Sequence, residues 1–221
     1  MNPTSPSRSL ALLPFLFWVL ALSYLAMMHL EQYPLHYIHK ASPILLLLFF
    51  ASKHVLFNYQ LVGLAIVFSV FGDILLALQI EQGFVMGLSA FLIAQCCYGL
   101  AFQRWRHWQK HKAFMIAALL LSIIVVALFV VPASDNLYVP VVVYMLAICF
   151  MACSAILVKT DDYLILIGAI FFVISDALIA VNKFVVPLPF EGYWVMSTYY
   201  LAQYLIVLGC LKRINDAQRS Y

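Results

Sequence analysis

Charged residues are scarce in this chain. Asp, Glu, Lys and Arg make up 10% of the 221 residues, whereas 66% are hydrophobic. A soluble domain is usually about a quarter charged, so this chain has too few polar residues to cover a water-facing surface. Its apolar runs also lack the alternation of polar and apolar residues found in membrane barrels. The sequence therefore predicts an all-α integral membrane protein, because helices satisfy their own backbone hydrogen bonds in lipid.

The signatures of several enzyme classes are missing as well. The five cysteines lie in apolar runs and form no CxxC pair, which argues against structural disulfides and cysteine metal sites. No GxSxG motif is present. The six histidines fall in loops or at helix ends, whereas a zinc enzyme needs about three converging ligands. We therefore expect no metal and no other cofactor. The net charge of +3 gives no reason to expect a nucleic-acid partner.

Long apolar segments separated by Pro, Gly and polar residues predict a polytopic bundle of about eight transmembrane helices in a single membrane domain, residues 1–221. The first segment is longer than a signal-peptide core and is interpreted as a retained helix. The second is short, so we expect it to be tilted, re-entrant or extended past Lys53. The predicted helices are 10–29, 41–52, 61–80, 84–103, 113–132, 138–158, 162–181 and 193–211.

Basic residues are distributed unevenly between the two sides of this predicted bundle. An even number of helices places both termini on one side, and that side then carries ten of the twelve Lys and Arg residues. Cytoplasmic loops are enriched in these residues, so we expect both termini in the cytoplasm, with Lys40 and Lys183 on the outer side. The ten predicted cytoplasmic cations are Arg8, Lys53, Arg104, Arg106, Lys110, Lys112, Lys159, Lys212, Arg213 and Arg219.

Two aspartates lie inside long apolar segments, Asp73 in VFSVFGDILLAL and Asp176 in IFFVISDALIAV. A carboxyl group at membrane depth costs about 2.5–3.5 kcal/mol on the insertion scale, which makes it a functional-site hypothesis. In the predicted topology both aspartates lie at a similar depth in the outer half of the membrane. Two carboxyls in different surroundings can serve as acid and base, so we predict a catalytic pair. A structural hydrogen bond between helices is the alternative.

Each aspartate-bearing helix is followed by a similar segment, SAFLIAQCCY after the first and STYYLAQYLI after the second. This similarity suggests a parallel internal repeat of four helices. The repeat would bring Gln95 and Gln203 together with the two aspartates around a pseudo-two-fold cavity. Either glutamine could orient a substrate or a water, although interhelical hydrogen bonding is an equally good explanation.

Four further residues are candidates for binding a substrate. Tyr144 and Tyr199 fall near the predicted depth of the aspartates and could donate hydrogen bonds. Lys40 and Lys183 are the two outer-side cations and could hold an anionic headgroup, since an ammonium group suits phosphate. The alternatives are aromatic packing for the tyrosines and extension of the lysine side chains toward the membrane surface.

Taken together, these motifs resemble the YhhN family of membrane proteins, whose characterised members are lysoplasmalogenases. One departure concerns Gln95, because the family often has His at that position. A role in proton transfer that His could have in the family therefore cannot be assigned to Gln95. The matching segments are KASPILLLL, FGDILLAL, FLIAQCCY, GAIFFVISDALIAVNKF and YLAQYLIVLG, which together cover predicted helices 2–8.

The resemblance implies hydrolysis of the vinyl ether bond of lysoplasmalogens, giving a fatty aldehyde and a glycerophospho-base. This chemistry needs one carboxylic acid to protonate the β-carbon and one carboxylate to stabilise the cation and activate water, as in glycosidases. Ser175 could hydrogen-bond Asp176 and keep it ionised, whereas Gly72 cannot do so for Asp73. We therefore favour Asp73 as the acid.

Two other functions fit the same features. The aspartate pair could couple protons to transport of a small molecule or lipid, or the protein could hydrolyse another lysolipid. The expected partners are a lysophospholipid substrate and membrane lipid. The expected location is a bacterial inner membrane, with the endoplasmic reticulum as the alternative, and the active site should face the outer or luminal half.

Overall fold

The computed structural model describes residues 8–30, 33–55, 59–78, 80–159 and 162–219. Within these ranges the chain is helical and contains no β-strand, which confirms the all-α prediction. A short 3-10 helix, Asp135–Leu137, precedes α6. The α-helices are α1 (Arg8–Met27), α2 (His36–Val55), α3 (Gln60–Ala77), α4 (Gly83–Gln103), α5 (Lys110–Ala133), α6 (Tyr138–Leu157), α7 (Leu164–Phe184) and α8 (Glu191–Arg219).

Six of these helices, α3 to α8, are long and apolar enough to cross a membrane, judged by length and composition. The chain is therefore an integral membrane protein, as the scarcity of charge indicated. Helix α1 contains a shorter apolar stretch, Leu12–Met27. The eight crossings, the cytoplasmic termini and the internal repeat remain predictions.

Most predicted helix ends lie within three residues of the observed ones, but two helices differ more. Helix α2 begins at His36 rather than at residue 41, because the turn before it places Leu35 at a φ of 64° and the Leu35 carbonyl accepts hydrogen bonds from the first helical turn. Helix α8 continues past residue 211 to Arg219, where the sequence becomes polar. Its Lys212 forms an ion pair of 2.7 Å with Asp162 in the loop before α7.

Two helix pairs form the most extensive contacts, α3 with α4 and α7 with α8. Glycines allow this close approach: a Cβ added at Gly87 would lie 2.7 Å from Leu76, and one at Gly168 would lie 2.9 Å from the Ala202 carbonyl oxygen. Helix α6 packs against α4, α5 and α7, and α1 and α2 lie on the α3 and α8 side. The core therefore lies between the two pairs, where both aspartate-bearing helices meet their neighbours.

Helix α5 is peripheral. Only Lys112 and Val130 are buried along its length, although it is strongly apolar. A helix that is apolar all round and little covered by protein is suited to contact with lipid. Its inner face nevertheless closes one side of the cavity described below.

Candidate active site

Asp176 is held by side chains from two other helices. Its Oδ2 accepts a hydrogen bond of 2.5 Å from the Tyr144 hydroxyl on α6 and a longer one, 3.4 Å, from Gln95 Nε2 on α4. Within the described ranges, no hydrogen bond to Asp176 Oδ1 is found. One carboxyl oxygen is therefore fixed by the protein, and the other remains available to a ligand.

Asp176 lies in the wall of a cavity of about 240 Å³ between α4, α5, α6 and α7, to which α3 adds Leu76. Nearly all of the lining is aliphatic or aromatic, and the polar exceptions are Ser122, Tyr144 and Asp176. Ligand pockets typically combine an apolar wall with a few placed polar groups. This one has a carboxyl group, a phenol and the Ser122 hydroxyl in an apolar wall that suits a ligand made mostly of hydrocarbon.

An exposed cation stands beside one end of the cavity. Phe84 on α4 and Phe184 on α7 both line the cavity, with ring centroids 6.0 Å apart. The Lys183 ammonium lies 5.1 Å from the centroid of the Phe84 ring, within the range of a cation–π contact. Lys183 follows Asp176 by seven residues on α7, so about 10 Å of helix separates them. The cavity thus has a carboxyl group in its wall and a surface cation beside it.

Asp73 lies in a different environment and does not line this cavity. It is 1% exposed, and its Oδ2 accepts a hydrogen bond of 2.8 Å from the Tyr199 hydroxyl on α8. Lys40 on α2 interacts electrostatically with Asp73, and its backbone carbonyl accepts a hydrogen bond from the Tyr200 hydroxyl. Lys40 and Tyr199 therefore belong to the surroundings of Asp73, whereas Tyr144, Gln95 and Lys183 belong to those of Asp176.

Phe91 separates the two carboxyl environments. A Cβ added at Gly72, next to Asp73, would lie 2.5–2.8 Å from atoms of the Phe91 ring, so the ring rests directly on α3. The same ring packs edge-on against Tyr199 and lines the Asp176 cavity. Phe91 was not among the residues predicted to form the site, although it begins the segment FLIAQCCY. Its position four residues before Gln95 was the available signal, because residues four apart share a helix face.

The two glutamines of the predicted repeat differ in their partners. Gln203 Oε1 accepts a hydrogen bond of 2.9 Å from Tyr98, and Gln203 Nε2 donates one of 2.8 Å to Ser69. Gln203 is fully buried, lies outside the cavity lining and has both ends of its amide paired, so it joins α3, α4 and α8. Gln95 is also fully buried, but no donor in the described part of the chain reaches its Oε1. An unpaired buried acceptor costs about 1–3 kcal/mol.

The prediction that Ser175 could donate a hydrogen bond to Asp176 is wrong. Ser175 Oγ is turned toward α8 and donates instead to the backbone carbonyl of Val195, at 3.1 Å. The preference for Asp73 as the acid therefore loses the support that it drew from Ser175. Among the described residues, no group of three or more His, Cys, Asp or Glu side chains is arranged to hold a metal ion.

The fold and the site define a class: a helical membrane protein with an apolar cavity that has a partly buried, tyrosine-bound carboxyl group in its wall. Comparison with known families is consistent with this description. The chain belongs to the YhhN family, whose sequence model matches residues 35–210. This match confirms the resemblance carried by the motifs.

Several curated relatives are similar to the chain over about two thirds of its length. Lysoplasmalogenase TMEM86A of Homo sapiens is 35% identical over 155 residues, which cover 66% of this chain and 63% of the human protein. Lysoplasmalogenase of Mycobacterium tuberculosis is 30% identical over 151 residues, which cover 66% of this chain and 58% of that protein. The chain thus spans about three fifths of the length of these relatives. No solved structure matches it.

Proposed function

We propose that this protein hydrolyses the vinyl ether bond of lysoplasmalogens, releasing a fatty aldehyde and a glycerophospho-base. One observation carries the proposal: an apolar cavity has Asp176 in its wall, and Lys183 lies beside the cavity. A single-chain lysolipid has matching parts: a hydrocarbon tail for the apolar wall, a reactive ether for Asp176 and a phosphate for Lys183. Relatives named lysoplasmalogenase support the same choice of substrate.

Asp176 is the proposed acid because it contacts the cavity. Its protonated carboxyl group transfers a proton to the β-carbon of the vinyl ether and leaves an oxocarbenium ion. Water adds to the cationic carbon, and its proton returns to the Asp176 carboxylate. The hemiacetal then collapses to the aldehyde and the free alcohol of the glycerol. One water is consumed and the acid is regenerated, which follows the carboxylate chemistry of glycosidases.

Asp73 is the second proposed catalytic carboxyl. It lies behind the Phe91 ring, so we propose that its charge stabilises the cation across that ring, in a region that excludes water. This assignment reverses the roles expected from the sequence, because the cavity reaches Asp176 rather than Asp73. Tyr199 holds Asp73 in place through its hydrogen bond of 2.8 Å.

The remaining candidates take different roles in this proposal. Tyr144 orients Asp176, and Lys183 receives the phosphate of the substrate. Lys40 balances the charge of Asp73, with which it interacts electrostatically. Gln203 supports the packing of three helices through its paired amide. Substrate binding by Lys40, Tyr199 and Gln203 remains a prediction from the sequence.

The proposed membrane arrangement has eight crossings in a single domain, with both termini in the cytoplasm and the site in the outer half. The bias of basic residues toward one side supports this orientation. The close pairs α3–α4 and α7–α8 support the parallel repeat. We propose a bacterial inner membrane, with the endoplasmic reticulum as the alternative.

Mass spectrometry of the purified, lipid-embedded protein with lysoplasmenylethanolamine tests the proposal. We expect fatty aldehyde from the wild type and a loss of at least about 100-fold in both Asp176→Asn and Asp73→Asn, because the first variant lacks the general acid and the second lacks the charge that stabilises the cation. A saturated ether analogue should remain intact, because it has no double bond to protonate. Cleavage of an ester-linked lysolipid instead would indicate hydrolysis of another lysolipid. The absence of aldehyde from folded wild-type protein would overturn the proposal.

A further inference from the structure

The unpaired oxygen of Gln95 lies beside the carboxyl group that reaches the cavity. Gln95 Nε2 approaches Asp176 Oδ2 at 3.4 Å, and Oε1 is bonded to the same carbon as Nε2. The oxygen therefore lies within a few ångströms of the carboxyl group, and no donor in the described part of the chain reaches it. Buried polar groups are nearly always paired, so an orphan acceptor at this position requires an explanation.

Two acceptors without a partner thus lie close together near the cavity. Tyr144 and Gln95 Nε2 both donate to Asp176 Oδ2, which leaves Oδ1 without a partner in the described ranges. A water molecule has two O–H groups and binds well where polar partners converge. If one O–H points to the carboxylate and the other to the amide oxygen, a lone pair of the water is left facing the cavity.

We propose that Gln95 Oε1 and Asp176 Oδ1 together hold the water that adds to the oxocarbenium ion. This inference rests on the proposed function and assigns the second half of its reaction. The water oxygen bonds to the cationic carbon, one of its protons passes to the Asp176 carboxylate, and the hydrogen bond to Gln95 fixes its direction of attack. Gln95 is enclosed in this structure, so the cavity wall must yield by about the width of one water when substrate binds.

Gln203 provides a matched control for this role. It occupies the corresponding position in the second Ala-Gln segment and is equally buried, yet Tyr98 and Ser69 pair both ends of its amide. Loss of the Gln203 amide should therefore affect helix packing. Loss of the Gln95 amide should instead slow the addition of water to the oxocarbenium ion.

Hydrogen exchange into recovered substrate separates the two halves of the reaction. In D₂O, Asp176 delivers deuterium to the β-carbon of lysoplasmenylethanolamine. If water attack is slow, the cation returns to the vinyl ether by losing either hydrogen, and recovered substrate then carries deuterium. The full-length protein in nanodiscs is compared with Gln95→Met, Gln95→His and Gln203→Met, with aldehyde and substrate deuterium measured in the same samples.

We expect Gln95→Met to form aldehyde at least tenfold more slowly and to deuterate recovered substrate, whereas the wild type leaves that substrate unlabelled. Gln95→His keeps an acceptor nitrogen, so its recovered substrate should carry less deuterium than that of Gln95→Met. Gln203→Met should lower the melting temperature without causing labelling. Wild-type kinetics in folded Gln95→Met would overturn the inference. Loss of both aldehyde and labelling would also overturn it, by placing Gln95 in the protonation step. If the wild type itself forms no aldehyde, the proposed function fails first and the inference fails with it.

Discussion

The Tyr144 hydroxyl donates a hydrogen bond of 2.5 Å to Asp176 Oδ2 and so joins α6 to α7 at the wall of the cavity. The bond holds one carboxyl oxygen against the protein, which directs the other toward a ligand. This contact links the packing of the bundle to the chemistry proposed for it.

Replacing Tyr144 with Phe should lower kcat/KM by about 10- to 100-fold. Asp176 becomes a carboxylate as it gives up its proton, and a hydrogen bond to a charged group contributes about 1.5–3 kcal/mol. Each 1.4 kcal/mol is about a factor of ten. Tyr204→Phe is a suitable control, because Tyr204 packs its ring against Phe17 and Trp18 and does not line the cavity. Steady-state aldehyde formation measures the effect. Equal losses in the two variants would show that the hydroxyl of Tyr144 has no special role.

Replacing Gly72 with Ala should destabilise the protein and weaken substrate binding. The new Cβ would meet the Phe91 ring at 2.5–2.8 Å, and overpacking of this kind typically costs about 1–3 kcal/mol. The displaced ring would move toward the cavity, so KM should rise. Melting temperature and KM are measured together, and adding Phe91→Leu to the Gly72→Ala variant should restore both.

Gly192→Ala is the matched control for this change. A Cβ at Gly192 meets only the terminal methyl group of Met28, which can move aside at little cost. Its melting temperature should therefore stay close to that of the wild type. If Gly72→Ala behaves in the same way, Phe91 does not form a fixed wall between the two carboxyl groups.

The two glutamines show how far the sequence could predict the site. Both follow Ala, and both come six residues after a Ser in similar apolar segments, so local sequence could not tell them apart. Their roles depend on distant partners: Tyr98 and Ser69 pair the amide of Gln203, whereas Gln95 meets Asp176. Such partners depend on how each helix is rotated within the bundle, and short apolar segments carry little information about that rotation.

The sequence alone indicated the helical fold and singled out the two aspartates as candidate site residues. Apolar runs must be helical in lipid, and a carboxyl group within them is costly enough to be noticed. The same argument applied equally to Asp73 and Asp176, and it could not predict that only Asp176 lines the cavity. That difference arises because Phe91 covers Gly72, next to Asp73, while α5 and α6 border open space next to Asp176.

Replacing Lys183 with Gln should raise KM about 1.5- to 5-fold and leave kcat nearly unchanged. An exposed ion pair contributes only about 0.2–1 kcal/mol, and a contact made equally in ground and transition states alters KM alone. Lys183→Glu should raise KM further by repelling the phosphate. Lys159→Gln removes an exposed cation from the loop before α7, at the opposite end of that helix, and serves as the control. A fall in kcat with unchanged KM would instead place Lys183 in the chemical step.

Replacing Lys112 with Met should destabilise the protein without changing the activity of the folded fraction. Lys112 is 7% exposed, and its ammonium donates to the backbone carbonyls of His107, Leu157 and Val158 at 3.0–3.3 Å. It therefore binds the carbonyl end of α6, which also attracts positive charge through the helix dipole. Unpaired buried carbonyls should cost about 1–3 kcal/mol. Lys110→Met, at an exposed position two residues earlier, should leave the melting temperature near that of the wild type. Equal melting temperatures for the two variants would show that the Lys112 ammonium does not stabilise the end of α6.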